Sequence, residues 1–258
     1  MQQKQNTLYV SSLAKGLQLL RAFDDRHSEL TLTEMTVRTG LERSAVQRLA
    51  NTLHLEGMLN KNPVTRRFSP SHAWLQLAYA YYWSDRLVPI ALPKMIDLSQ
   101  RLGETVNLAE ASGDHIIYVS RLPCQHTYFA ASVVGRRIPA LSTSSGLAML
   151  STCDVDTSAE AVVTWPLTRF TPRTIMERSL ISEQVEQARQ EGFSIAREQV
   201  ILNEIGIAAP IRSPGGEPSR AAIQCSVSAS RWTEEGLRER IVPALLDTAN
   251  AISPDPRS

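Results

Sequence analysis

Residues 41–57, LERSAVQRLANTLHLEG, carry two different faces at one helical period. Val46, Leu49, Ala50 and Leu53 fall at i, i+3, i+4 and i+7 and make an apolar stripe. Ser44, Gln47, Arg48 and Asn51 repeat that spacing about two residues back, roughly 200° around a helix that turns 100° per residue. They therefore point away from the core. Arg suits guanine, Gln and Asn suit adenine, and Ser serves either a base or the backbone, so this outer face matches what a helix in a major groove presents. By itself the pattern also describes an ordinary amphipathic surface helix. The flanking segments decide between the two.

Upstream, residues 11–23 bring Leu13, Ala14, Leu17 and Leu20 to helical spacing behind Ser12, which is expected to cap a first helix. Thr31-Leu32-Thr33-Glu34 matches the capping box, in which the Thr hydroxyl and the Glu carboxylate satisfy each other's backbone amides. A short second helix to Thr39 follows, Gly40 supplies a left-handed turn, and Leu41 re-enters the core. Downstream, Met58-Leu59-Asn60-Lys61 and Arg66-Arg67-Phe68-Ser69 flank a turn at Asn62-Pro63-Val64-Thr65 and predict a hairpin with a basic tip. Helix, glycine turn, helix and hairpin make a winged helix-turn-helix. Ser44, Gln47 and Arg48 are then expected at base edges, and Arg43, Arg66 and Arg67 at phosphates; a merely solvated hairpin tip is the plain alternative.

The 258 residues, 43% hydrophobic and 21% charged, suffice for a sizeable core and exclude a disordered or fibrous chain. No apolar run approaches the roughly 20 residues of a membrane span, and the first residues lack a secretory apolar segment, so a cytoplasmic protein is expected. Cys124, Cys153 and Cys225 show no metal-ligand spacing and fit buried free thiols. Net charge is +1, but residues 1–70 hold ten Lys/Arg against six acids, leaving the remainder mildly acidic. A basic head on an acidic body suits phosphate binding by the head.

Residues 71–83, SHAWLQLAYAYYW, put Trp74, Leu77, Ala78 and Tyr81 on one stripe with further aromatics beside it. A helix aromatic on more than one face needs a partner, either its own chain or a second subunit. The organisation read from the sequence is a DNA-binding head over 1–70, a linker helix over 71–84 and a body over 85–258. In a two-fold dimer, paired heads would meet a palindromic site on double-stranded DNA.

The body alternates helices and strands in an α+β pattern. A helix over 87–102 carries Pro89 in its first turn and must accommodate Pro93 or kink there. Strands are expected over 105–110 and 115–122, joined by Ser112-Gly113-Asp114, and again over 128–134, 193–198, 204–211 and 220–228. Helices are expected over about 142–151, 177–192 and 233–252, the last on a Thr/Glu cap. No nucleophile elbow, phosphate loop, dinucleotide fingerprint or His-Glu-x-x-His pair occurs, so no catalytic residue, metal or cofactor is assigned.

Two places in the body suit a small ligand. Ser142, Thr143, Ser144, Ser145 and Gly146 combine hydroxyls with a predicted helix start, where exposed amides favour an anion such as a carboxylate; simple capping by Thr143 or Ser144 is the alternative. Ser226 and Ser228 alternate with Cys225 and Val227, so both hydroxyls share one strand face. Arg121 and Tyr128 lie on other predicted strands and offer a cation and a phenol, or else a surface ion pair and a core tyrosine.

From about Ser12 to Ile252 the chain resembles the IclR family of bacterial transcription regulators. The head motifs that carry the resemblance are Leu13-Ala14-Lys15-Gly16-Leu17, Leu32-Thr33-Glu34, Thr39-Gly40-Leu41, Ser44-Ala45-Val46-Gln47-Arg48-Leu49 and Leu55-Glu56-Gly57. In the body they are Leu77-Ala78-Tyr79-Ala80-Tyr81, Ile117-Tyr118-Val119-Ser120-Arg121, Thr143-Ser144-Ser145-Gly146, Phe170-Thr171-Pro172-Arg173-Thr174-Ile175 and Leu237-Arg238-Glu239-Arg240. Within the family the chain is most similar to the branch that controls protocatechuate and 4-hydroxybenzoate catabolism. The resemblance implies a GAF-like effector domain, homodimers or tetramers, and control of a catabolic operon by a small aromatic carboxylate bound near Thr143, Ser144, Ser145, Gly146, Ser226 and Ser228. Leu147 stands where relatives commonly carry a basic residue, and Asn203-Glu204-Ile205-Gly206 departs from the usual glycine and cysteine pattern. Two readings from other classes remain open: a sensor or adaptor whose head binds protein, and an enzyme with a fused head.

Overall fold

The computed structural model describes residues 8–84, 86–124 and 134–252. Backbone contacts divide the chain into two units, Met1–Ser84 and Asp85–Ser258. The first unit runs α1 (Ser11–Leu20), α2 (Leu32–Thr39), α3 (Arg43–Leu55), β1 (Leu59–Lys61), β2 (Phe68–Pro70) and α4 (Ala73–Ser84). Its core is Leu19, Leu30, Met35, Val46, Ala50, Leu59 and Phe68. The capping box forms at the start of α2: Glu34 N–H donates to Thr31 Oγ1 at 3.3 Å, and Thr31 N–H donates to Glu34 Oε2 at 2.7 Å. Gly40 follows at φ 67°, a left-handed position that favours glycine, and the chain turns there into α3.

The wing is tied to the helices through its backbone. Leu30 and Phe68 exchange two hydrogen bonds, 2.9 and 2.8 Å, so the segment before α2 pairs with β2. Asn62 Oδ1 accepts the amides of Val64 and Thr65 and closes the hairpin turn.

The first helix differs from its sequence reading. It follows Val10 with no side-chain cap, so Ser12 does not serve as one, and it ends at Leu20. Leu13 and Leu17 are exposed, while Gly16 and Leu19 face inward. Gly16 faces α3, whose Leu49 Cδ2 lies 3.9 Å from where a Cβ would be, and Leu19 on the same side enters the core. The linker helix forms as α4, yet none of its residues is buried.

The second unit contains α5 (Leu87–Leu102), β3 (Thr105–Ser112), β4 (His115–Leu122), β5 (Arg137–Pro139), α6 (Ser144–Leu150), α7 (Val155–Thr164), α8 (Arg178–Glu191), β6 (Ser194–Arg197), β7 (Glu204–Ile211), β8 (Ala221–Ser228), α9 (Glu234–Gly236) and α10 (Val242–Ile252). The strands form one antiparallel sheet in the order β5-β4-β3-β8-β7-β6. Helices α5 and α10 pack on the sheet, and α6 packs against β7, β8 and α8. Buried Leu108, Ile205, Ile207, Ile223 and Cys225 supply apolar strand positions. Pro93 is accommodated inside α5, and a π turn over Leu237–Ile241 precedes Pro243, whose ring removes one helical donor.

Two elements went unread in the sequence. Strand β5 has three residues, and α7 starts on Asp154, whose carboxylate accepts Thr157 N–H at 2.8 Å. The strand expected over 128–134 lies outside the described residues up to 133, and Val134 is in a turn. Among the described residues, no helix is long and apolar enough to cross a membrane and no His/Cys/Asp/Glu group could hold a metal ion.

Candidate nucleic-acid interface and ligand cavity

On α3 the packing of Val46 and Ala50 into the head core fixes the opposite face outward. Arg43, Ser44, Gln47, Arg48 and Asn51 are all exposed along it. Glu42, ahead of the helix, makes no side-chain cap, which leaves the amides of the first turn without a side-chain acceptor from that residue. Arg43 is steered toward α2 by a 3.3 Å hydrogen bond to Thr33 Oγ1. At the hairpin tip Arg66 is exposed and left-handed, φ 59°, a conformation that bulky residues seldom adopt.

Arg67, expected beside Arg66 at a phosphate, is turned inward. Its guanidinium donates to both oxygens of Glu34 at 3.1 Å and to Glu29 O at 3.0 Å. The fork geometry of guanidinium matches a carboxylate, and the capping-box glutamate is the carboxylate within reach. The backbone amide of Thr31 first, then the Thr31 hydroxyl and Arg67, hold the Glu34 acid at a pKa of about 2. One carboxylate thus starts α2 and anchors the wing.

In the second unit a half-open cavity with a free volume of about 30 Å³ lies between the sheet, the start of α6 and the loop over 198–203. Tyr118 and Ile138 wall one side, Ser142, Thr143 and Ser144 another, and Gln199, Val200 and Ile201 close it, with Glu204, Gly206 and Gln224 from β7 and β8. Gly206 leaves room there: a Cβ would stand 2.8 Å from both Gln224 Nε2 and Ser144 Oγ and would displace those side chains. The loop that closes the cavity is fastened from outside the sheet. Thr171 Oγ1 donates to Glu198 O at 2.6 Å and Thr174 Oγ1 to Gln199 O at 2.7 Å, while Gln199 Oε1 accepts Ile175 N–H. Its ends, Glu198 and Asn203, are both left-handed, φ 54° and 61°.

The predicted ligand residues divide. Thr143 and Ser144 line the cavity, but the Thr143 hydroxyl caps α6 by accepting Gly146 N–H and donates to Ala140 O, both at 3.0 Å. The Thr143 hydroxyl is therefore engaged in capping a helix of seven residues. Gly146 serves packing, since a Cβ would lie 2.1 Å from Ala140 O. Ser145 is fully buried, and its Oγ, like that of Ser142, has no hydrogen-bond partner among the described residues.

Ser226 sits behind the cavity wall, whereas Ser228, at the strand end, bonds Asn203 and Ser230 instead. The two serines share a strand but not a site. Arg121 lies half-buried on β4 and acts on Glu204 through its charge without lining the cavity. Tyr128 lies outside the described residues.

Three polar residues that the motif search did not assign complete the arrangement. Asn107 Nδ2 donates to Gln224 Oε1 at 2.5 Å, Gln224 Nε2 to Ser226 Oγ at 2.9 Å, and Ser226 Oγ to Glu204 Oε1 at 2.8 Å. Burial pushes the Glu204 acid up, while the Ser226 hydrogen bond and the charges of Arg121 and Arg136 favour its ionised form. Gln224 alternates with Ser226 along β8, and Glu204 marks the departure from the family pattern; those were the available signals.

Comparison with known proteins covers both units. The model described as "IclR helix-turn-helix domain" matches residues 12–63, and "Bacterial transcriptional regulator IclR C-terminal" matches residues 80–254. The Pca regulon regulatory protein of Pseudomonas putida is 30% identical over 92% of this chain and 81% of its own length. The p-hydroxybenzoate hydroxylase transcriptional activator of Acinetobacter baylyi is 29% identical over 95% and 91%. A crystal structure of an IclR homolog complexed with 4-hydroxybenzoate, from Microbacterium hydrocarbonoxydans, superposes with a TM-score of 0.77 at 25% identity, covering 95% of this chain and 99% of that one.

Proposed function

Since the chain belongs to the IclR family of bacterial transcriptional regulators, we propose that it controls a catabolic operon by binding operator DNA through its head and a small aromatic carboxylate in the cavity of its second unit. The observation that carries the DNA half is the outward set Ser44, Gln47 and Arg48 on a helix whose opposite face is locked in the core. Ser44, Gln47 and Arg48 read bases, and Arg43 and Arg66 meet phosphates. Arg67 holds the wing in place rather than touching DNA.

The ligand half is supported by the cavity and by two relatives, the p-hydroxybenzoate hydroxylase transcriptional activator of Acinetobacter and the Microbacterium homolog complexed with 4-hydroxybenzoate. The free volume of the cavity is about 30 Å³, so an aromatic ring enters only if the wall side chains move apart. Thr143 and Ser144 contribute wall, and Ser226 orients Glu204 and Gln224.

The exposed apolar side chains of α4 fit an assembly of two copies, which would present paired heads to a palindromic operator in the cytoplasm. Fluorescence anisotropy on DNA from the promoter region of its own gene, with and without aromatic acids, tests the reading. Expected are DNA binding that weakens steeply with salt and shifts with one acid, and a Ser226→Ala variant that binds DNA but responds less to the acid. Salt-insensitive or absent DNA binding would instead favour a protein-binding head.

A further inference from the structure

We propose that residues 198–203 form a latched strap over the cavity, and that the latch works against the ligand. A shut strap and a filled cavity exclude one another, so a ligand must pull the strap off residues 171–175, and that release carries its arrival to Arg173 at the surface. This rests on the cavity being the ligand site and adds how that site is regulated. The argument starts from space. A free volume of about 30 Å³ holds about one water molecule, so any organic acid needs a wall to give way. Most walls are fixed. Glu204, Gly206 and Gln224 sit in the paired strands β7 and β8, and Ile138 in β5 is paired to β4. The start of α6 is held by the Thr143 cap, by Ser194 Oγ donating to Ser144 O at 2.5 Å, and by the Ala140 carbonyl against Gly146. Among the described residues, Gln199, Val200 and Ile201 are the lining residues outside every strand, helix and helix cap.

The strap is also built to let go. Its ends, Glu198 at φ 54° and Asn203 at φ 61°, are left-handed without being glycine, a conformation that persists only while surrounding contacts enforce it. Those contacts are side-chain hydrogen bonds rather than a strand ladder. The single proton of the buried Thr171 hydroxyl goes to Glu198 O, that of Thr174 goes to Gln199 O, and Gln199 Nε2 donates to Arg173 O at 3.1 Å. Arg173 Nε adds an ion pair of 3.0 Å to Glu198 Oε2, and Glu198 Oε1 accepts Asn203 N–H at 2.8 Å. Asn203 itself stays anchored, donating to Ser228 Oγ and accepting Ser230 N–H, which makes it the fixed end. Where the form able to bind is a small fraction of the protein, apparent affinity is reduced by that fraction. A tight latch therefore weakens the ligand, and a loosened one strengthens it.

The test uses the full-length protein with 4-hydroxybenzoate as the probe. Hydrogen–deuterium exchange read by mass spectrometry follows two amides that the latch protects, Ile175 N–H on Gln199 Oε1 and Asn203 N–H on Glu198 Oε1. Saturating probe should speed exchange in the peptides over 170–176 and 197–204 by at least about fivefold, whereas a ligand filling a rigid pocket would slow it. Isothermal titration calorimetry should show Thr171→Val, at a residue outside the cavity lining, binding the probe at least about threefold more tightly than the wild type. Arg173→Ala, at an exposed residue, should move affinity the same way by about twofold, and with the wild-type exchange it decides where Thr171→Val does not fold. Slower or unchanged exchange with the probe bound, or variants that bind it no more tightly than the wild type, overturns the latch and leaves the aromatic-acid reading standing. Absence of probe binding by the wild type overturns that reading and this inference with it.

Discussion

Arg67 on the wing and Glu34 in the first turn of α2 are joined by two hydrogen bonds of 3.1 Å, and the same carboxylate accepts Thr31 N–H at 2.7 Å. The folded acid titrates at about 2, against an ordinary value of 4.5. A depressed acid stabilises the fold fully above its unfolded value, and the gain is lost as pH falls through the folded one. Glu34→Gln should therefore lower the melting temperature at pH 7, and the gap to the wild type should close as pH drops from about 4.5 toward 2. Differential scanning calorimetry at several pH values reads this; a gap independent of pH would refute the ionic account.

The exposed arginines of the head should separate by role. Arg48→Ala removes a base-reading group and should cost about 1–3 kcal/mol on the operator while relaxing sequence preference. Arg66→Ala should weaken binding to all sequences and lower the salt slope by about 1. Arg67→Ala should act mainly on head stability. Anisotropy titrations across salt distinguish them, and an Arg66→Ala variant with an unchanged salt slope would remove that residue from the phosphate contacts.

Gly146 has no room for a methyl group, because a Cβ would fall 2.1 Å from the Ala140 carbonyl oxygen. Gly146→Ala should destabilise the second unit by about 3 kcal/mol or more, since the obstruction is backbone rather than a movable side chain. Urea unfolding measures it. A loss below about 1 kcal/mol would mean that α6 can shift freely on the sheet.

In α4, Leu75 is 72% and Trp83 64% exposed, on a helix with no buried residue. On the proposed two-copy assembly, Leu75→Ser with Trp83→Ser should shift the protein toward monomer in sedimentation velocity, with the fold of the head retained. An unchanged sedimentation coefficient would place the subunit contact elsewhere.

Much of the head was legible because its signals are local. The Thr31–Glu34 box, the left-handed Gly40 and the two faces of α3 each depend on residues within a turn or two. The errors arose where distant residues decide. Leu13 and Leu17 keep helical spacing yet stay exposed, since the side of α1 that meets the core is the one carrying Gly16 and Leu19. Arg67 reads as a basic tip residue until Glu34 is brought beside it from 33 positions away. In the body, Thr143 followed the capping alternative, and α7 was missed although Asp154 stood at its start as a good cap. Glu204 was visible as an oddity, but its chemistry needed Ser226, Gln224 and Asn107 from two other strands.

The segment over 199–201 contributes three side chains to the cavity and is fastened at Gln199 to Thr174 and Ile175 and at its two ends to Arg197 and Glu204 of the flanking strands. Gln199 carries those ties, so the neighbouring Val200 and Ile201 line the cavity with no side-chain hydrogen bond to maintain. Descendants of such a protein can acquire taste for new inducers by exchanging Val200 and Ile201, while the sheet keeps the sequence it needs to fold. For anyone adapting the protein as a biosensor, that short segment is the place to randomise first.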